Sequence, residues 1–139
     1  FIPRKVIDLG CGTGILAIAV RRLWPKAQVI ATDIDPVAVE TAHRNMERNR
    51  VRDKVELRVL NGWPDYEVFD LCIANILSGP LISLAPAAAA GLPQEGRALL
   101  SGILSSQKHE VSTAWTQVGF RTQNILDKDG WTTIDFCRR

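Results

Sequence analysis

The chain has 139 residues, 46% of them apolar, with 17 Lys and Arg against 15 Asp and Glu for a formal charge of +2. That size fits one folded domain, and so even a charge balance argues against nucleic acid as a direct ligand. Three widely spaced cysteines form no CxxC pair and no apolar run reaches the ~18 residues of a membrane span, so a soluble cytoplasmic protein without disulfide, zinc site or membrane partner is expected.

In chain order, "KVIDLG" reads as a first buried strand, and Phe1 directly before it suggests a domain from a longer polypeptide. "GILAIAVRRLW" reads as a helix apolar on nearly every side, which should be covered by protein, and Trp24 and Pro25 stop it. "QVIATD" is a second buried strand, because its β-branched run is too short for a helix. Asp35 and Pro36 then start a helix, a carboxylate at the N-cap before a proline whose missing N–H costs nothing there. Val39, Ala42 and Met46 share one face of that helix. "VELRVL" is a third strand, "NGWPDYEV" is too short for more than one helical turn, and "FDLCIAN" is a fourth strand. "GPLISLAPAAAAGL" is helical, with Pro80 in the first turn and Pro86 inside, where a kink is expected. "RALLSGIL" is a fifth strand, and Ser106 can cap a helix to about Val118 with Val111, Ala114, Trp115 and Val118 inward. Thr122–Leu126 and Trp131–Cys137 close the chain as a hairpin across "DKDG".

Strands alternating with helices imply a mostly parallel α/β sheet covered on both faces, with the closing hairpin adding an antiparallel strand. Ligands of such sheets bind outside the carboxyl ends of the strands. The chemically suggestive residues gather there: Asp8 to Gly14 after strand one, Asp33 and Ile34 after strand two, Asn61 after strand three and Asn75 after strand four. In "DLGCGTG", Gly10, Gly12 and Gly14 allow positive φ and bring a ligand against bare backbone around Cys11 and Thr13. The spacing is GxGxG, with Ile15 where a dinucleotide fingerprint has its third glycine, and no Lys follows to hold a phosphate. Two acids, Asp8 and Asp33, bracket the loop and would repel a pyrophosphate. Asp33 lies near the ~20-residue offset at which a strand-end acid grips ribose hydroxyls. A ligand with a nucleoside at one end and positive charge at the other satisfies both acids, and S-adenosylmethionine is such a ligand.

"VIDLGCGTG" followed by "ATDIDPVAV" resembles the class I S-adenosylmethionine-dependent methyltransferases over essentially the whole chain. The resemblance implies a Rossmann-like, doubly wound seven-stranded sheet. It implies that Gly10, Gly12 and Gly14 line the methionine portion of the cofactor, that Asp8 organises the amino group through water or backbone, and that Asp33 takes the ribose. Asn61 falls where that class often places a residue beside the adenine, in competition with Asp65. With "GTGILAIA", the stretches "IANILSGPLISLAP" and "LLSGIL" resemble the catalytic domain of the ribosomal protein L11 methyltransferases, which act on lysine and terminal amines of that large-subunit protein. On that resemblance residues 1–139 are the catalytic domain, and a recognition domain ahead of it is missing.

An amine attacking a sulfonium methyl needs a neutral lone pair, a fixed approach and acceptors for its N–H bonds, which the Asn75 oxygen and nearby carbonyls supply. Neither His43 nor His109 is placed as a general base, so positioning rather than proton relay is expected. The acceptor stays open between a ribosomal protein amine and a nucleic-acid base or small metabolite, and a non-catalytic binding module is a further alternative. The basic stretch Arg44–Arg58, interrupted by Glu47, Asp53 and Glu56, reads as a solvated face. Trp63, Trp115 and Trp131 are not read as an aromatic cage, since Trp115 is expected in the core and Trp131 partly buried at the start of the last strand. Arg50 stands where a helix often ends in glycine, at a cost of about 1 kcal/mol if left-handed.

Overall fold

A computed structural model describes residues 1–139. Seven strands form one sheet: β1 (Lys5–Leu9), β2 (Gln28–Asp33), β3 (Val55–Val59), β4 (Leu71–Asn75), β5 (Arg97–Leu104), β6 (Phe120–Lys128) and β7 (Trp131–Arg138), in the order β3-β2-β1-β4-β5-β7-β6. The pairs among β1 to β5 are parallel, and β7 runs antiparallel to both β5 and β6. The doubly wound architecture with one reversed C-terminal strand is therefore as the sequence implies. Strand order reverses between β1 and β4, which opens a crevice at their carboxyl ends.

Four helices cover the sheet: α1 (Ile15–Leu23), α2 (Pro36–Arg48), α3 (Ser78–Gly91) and α4 (Lys108–Gln117). Val6, Val29, Ala31 and Ile73 pack toward α1 and α2, where they meet Ala17, Ile18, Ala42 and Met46. Ile7, Leu9, Ile30 and Cys72 pack on the opposite face with α3, α4 and the fully buried Trp115, whose Nε1 donates to the Leu81 carbonyl at 3.0 Å. Central strands buried on both faces read as continuous apolar runs for this reason. No helix is long and apolar enough to cross a membrane, and the three cysteines are unpaired.

Local chemistry sets the element ends. The Asp35 side chain accepts from the Val37 amide at 2.9 Å with Pro36 at the first helical position, as expected. Asp129 and Gly130, at φ 54° and 82°, make a two-residue hairpin between Lys128 and Trp131. Pro80 lies in the first turn of α3 and Pro86 inside it. Arg50 is left-handed, φ 59°, and carries the strain that glycine would avoid.

Two expectations are corrected. α1 is not covered all round: Ile15 and Leu23 are each about 70% exposed, because the sheet and α2 bury just the stripe of Ala17, Ile18 and Val20. Ser106 does not cap α4; it lies inside a 3-10 turn, Ser105–Gln107, that leads into the helix from Gln107, so its hydroxyl sits a residue too early to reach the free amides. The connection from β3 to β4 has no helical turn, within the limit of one that its length sets, and Tyr66 there takes φ 61°.

β5 is interrupted by a bulge between Leu100 and Ile103, and Gly102 within it takes φ 79°. A Cβ there would stand 2.7 Å from the Ile76 carbonyl oxygen and 2.8 Å from Asn75 Oδ1. The glycine thus lets the end of β4 lie against β5. We expect Gly102→Ala to lower stability by more than about 1 kcal/mol in urea unfolding, the left-handed penalty alone; an unchanged midpoint would mean that the bulge relaxes freely.

Candidate functional site

Between α3 and the carboxyl ends of β1, β2 and β3 lies a cavity of about 590 Å³, within the range of small-molecule sites. Gly10, Asp33, Ile34 and Asn61 line it, as does Leu9, and Gly62 and Trp63 extend the wall beyond β3. The far wall is Ile76, Leu77, Pro80 and Leu84 at the start of α3 and along its face. A second cavity of about 470 Å³ adjoins it. Asn75, Ser101, Gly102 and Trp131 line this one, and Ile76 and Leu77 belong to both.

The glycine turn is shaped by bonds rather than by side-chain bulk. Gly10, Gly12 and Gly14 have φ of 68°, 52° and 83°. A Cβ on Gly10 would stand 2.5 Å from Ile76 Cγ2, whereas nothing lies within 4 Å of one on Gly12. The Gly12 amide donates to Asp33 Oδ2 at 3.0 Å, and Asp33 Oδ1 accepts from the Asp35 amide at 3.0 Å. One carboxylate therefore joins the turn after β1 to the start of α2. Its oxygens retain lone pairs for further donors, since each can accept two bonds.

Asp8 is 1% exposed and faces the other way, toward α1, where Oδ2 accepts from the Ala17 amide at 3.1 Å. Burial pushes its pKa up to about 7; the Ala17 bond opposes that shift and the charge of Asp33 adds to it. Asp8 thus acts on the loop through backbone, beneath it rather than at the cavity wall. The Cys11 thiol is buried in the core under α1, and burial, then Asp8 and Asp33, push it up to about 12. Its amide donates to the Thr32 carbonyl at 2.8 Å, so Cys11 serves the turn through main chain. Thr13 is exposed at the loop's outer side, in a groove between α1 and α2. Asn75 is exposed and closes β4 beside Ser101.

Asn61 rather than Asp65 lines the first cavity. His43, on α2, accepts from Arg52 beyond its end, His109 lies on α4, and neither lines either cavity. In the basic stretch, Arg52 pairs with Glu47 and Arg58 with Glu56 and Glu67, in keeping with a solvated face.

Sequence reasoning missed three features of this site. Thr32 lines the first cavity with its hydroxyl buried and unpartnered. Its place just before Asp33, at the end of β2, is the signal that could have found it. Trp131 presents about half its surface at the second cavity. Trp63 forms cavity wall, edge-on to Phe69, with its Nε1 bonded to the Glu67 carbonyl.

This strand order, with the glycine turn at the reversal point, defines the methyltransferase fold. A methyltransferase from Pyrococcus furiosus superposes with a TM-score of 0.82 over 98% of this chain and 75% of its own, at 19% identity. The chain belongs to the family described as ribosomal protein L11 methyltransferase (PrmA), whose sequence profile matches residues 3–139. The relative named ribosomal protein L11 methyltransferase from Allorhizobium ampelinum is 43% identical over 137 residues, 95% of this chain and 47% of that protein. The structure of a ribosomal protein L11 methylase from Lactobacillus delbrueckii subsp. bulgaricus superposes with a TM-score of 0.92 at 30% identity, covering all of this chain and 71% of that one. The chain spans about half the length of the curated relatives it matches.

Family and fold imply S-adenosylmethionine as methyl donor, and the residues present fit it. The space over Gly12 is open, the mostly apolar wall suits a purine, Asp33 has lone pairs to spare, and no basic side chain lines the cavity to call for phosphate.

Because the raised Asp8 pKa makes the folded chain hold a proton that the unfolded chain releases near 4, this stability is complete below about pH 4. It is lost as pH rises through about 7. Asp8→Asn keeps an acceptor for Ala17 and should therefore gain stability relative to the parent as pH climbs from 4 to 8. Parallel stability curves for the two proteins would contradict the burial of an ionisable Asp8.

Proposed function

We propose that residues 1–139 are the catalytic domain of an S-adenosylmethionine-dependent N-methyltransferase that modifies lysine side chains and the terminal amine of a large-subunit ribosomal protein in the cytoplasm. Recognition of that protein is assigned to another part of the polypeptide. The observation that carries this reading is the pair of cavities sharing the wall of Ile76 and Leu77, one with a carboxylate for a nucleoside, the other with Asn75 for an acceptor.

When bound, S-adenosylmethionine supplies a methyl group on a positively charged sulfur. In this reading the Asp33 carboxylate accepts from the ribose hydroxyls while it keeps the Gly12 amide in place. The loop's main chain, which Asp8 supports from beneath through the Ala17 amide, provides a close-fitting bed for the cationic end. Ile34, Asn61 and Trp63 flank the purine.

At the second cavity the Asn75 side-chain oxygen and the Ile76 carbonyl are acceptors for the N–H bonds of an incoming amine. They orient its lone pair toward the shared wall. A lysine has to arrive neutral, and its reference pKa is near 10.4. Ile76, Leu77 and Trp131 supply apolar surface that disfavours the ammonium form. None of the six residues lining this cavity is ionisable near neutral pH, which supports positioning over proton relay.

Asp33→Ala should weaken S-adenosylmethionine binding by about 1.5–3 kcal/mol in calorimetry, the scale of a charged hydrogen bond; equal affinity would remove Asp33 from the site. Asn75→Ala in the complete polypeptide should reduce turnover far more than cofactor affinity. Parallel losses of both would make Asn75 structural. Mass spectrometry of ribosomal proteins incubated with that polypeptide and labelled cofactor tests the acceptor, and label on RNA or on a metabolite alone would overturn the amine assignment.

A further inference from the structure

We infer that Asn45, on α2 and outside both cavities, is a positioning residue that sets the shape of the glycine turn and thereby the affinity for the cofactor. This rests on the reading that the cofactor lies on that turn. Asn45 Nδ2 donates to the Thr13 carbonyl at 2.9 Å, across 32 positions of sequence.

The bond matters because of where Thr13 sits. It lies between Gly12 and Gly14, both left-handed. Glycine imposes little steric preference on its own φ, so the orientation of the peptide between Thr13 and Gly14 has to be chosen by bonds. Two bonds choose it: the Gly14 amide donates to the Cys11 carbonyl at 2.8 Å, and Asn45 holds the opposite, carbonyl end. Rotation of that peptide breaks both. The Thr13 amide, in the preceding peptide, makes no bond within the chain and is a free donor in the turn.

Independent packing ties the same turn to α2. A Cβ on Gly14 would lie 3.0 Å from Met46 Cε and 3.2 Å from Ala42 Cβ, so α2 rests directly against the loop on both sides of Asn45 in sequence. The start of α2 is joined to Asp33, which holds the Gly12 amide. The turn is therefore gripped at Gly12 through Asp33, at Gly14 by contact and at Thr13 by Asn45. Farther along the helix, Asn49 Nδ2 donates to the Asn45 carbonyl, and Asn49 Oδ1 accepts from Arg22 on α1. That link joins the two helices without touching the loop, and so separates helix packing from loop positioning.

The test compares binding of S-adenosylhomocysteine by calorimetry and amide exchange of the ligand-free protein in four variants. Asn45→Ala and Asn45→Asp should each bind about three- to tenfold more weakly, the loss of one ordinary hydrogen bond. Both should exchange the Gly12 and Gly14 amides faster. Asp matches Asn in shape but has no donor at neutral pH, and S-adenosylhomocysteine has no net charge for the added carboxylate to attract or repel, so weakening in this variant reports the missing donor. Asn45→Gln keeps the donor and should recover part of the affinity. Asn49→Ala should stay within about twofold of the parent, less than one such bond is worth. Equal affinity and equal exchange in the Asn45 variants, with the parent binding normally, would overturn the inference. A parent that binds no S-adenosylhomocysteine would instead overturn the cofactor reading beneath it.

Discussion

The bond from the Gly12 amide to the Asp33 carboxylate is the constraint on which the site depends. It closes the gap between the ends of two adjacent strands, and it does so with a group that carries charge. Three left-handed glycines cost conformational entropy to order, and without a partner at their centre they would sample many turns. The carboxylate selects one. It also leaves negative potential over the crevice, and burial first, with the Asp33 charge adding to it, makes ionisation of Asp8 beneath the loop costly. A cation placed there relieves that repulsion, whereas a diphosphate would worsen it.

The second half of the site is built by an irregularity in the sheet. Parallel strands alone would hold Asn75 against Ser101 in regular register. The bulge at Gly102 lets the chain leaving β4 fold closely over β5, which brings the Asn75 side chain, the Ile76 carbonyl and Trp131 around one hollow. Bulges often re-aim side chains beside functional sites. Here the same turn gives Ile76 to both hollows, and Ile76 also presses against Gly10. The two hollows are thus coupled through one side chain and one glycine.

The architecture was legible because its signals are local. Strands buried on both faces read as short unbroken apolar runs, Asp35 with Pro36 marks a helix start, and Asp129 with Gly130 marks a hairpin. The glycine spacing and the two acids likewise announced the loop. What escaped the sequence depends on direction or register. Cys11 and Thr13 belong to the loop, yet one thiol turns into the core and one side chain faces outward. The exposed flank of α1 looks buried in a list of apolar residues, since its period says nothing about which neighbours exist. Ser106 has the chemistry of a cap but stands inside a tighter turn. The bulge at Gly102, the unpartnered hydroxyl of Thr32 and the reach of Asn45 across to Thr13 depend on how distant segments meet.

A co-crystal structure with S-adenosylhomocysteine, judged against soaks with NAD, tests the central claim most directly. The account predicts the ribose hydroxyls on Asp33, the purine between Ile34 and Asn61, and the sulfur near the Ile76–Leu77 wall that faces Asn75. Adenosylhomocysteine bound elsewhere, or NAD taking its place with a pyrophosphate over the glycine turn, would contradict it.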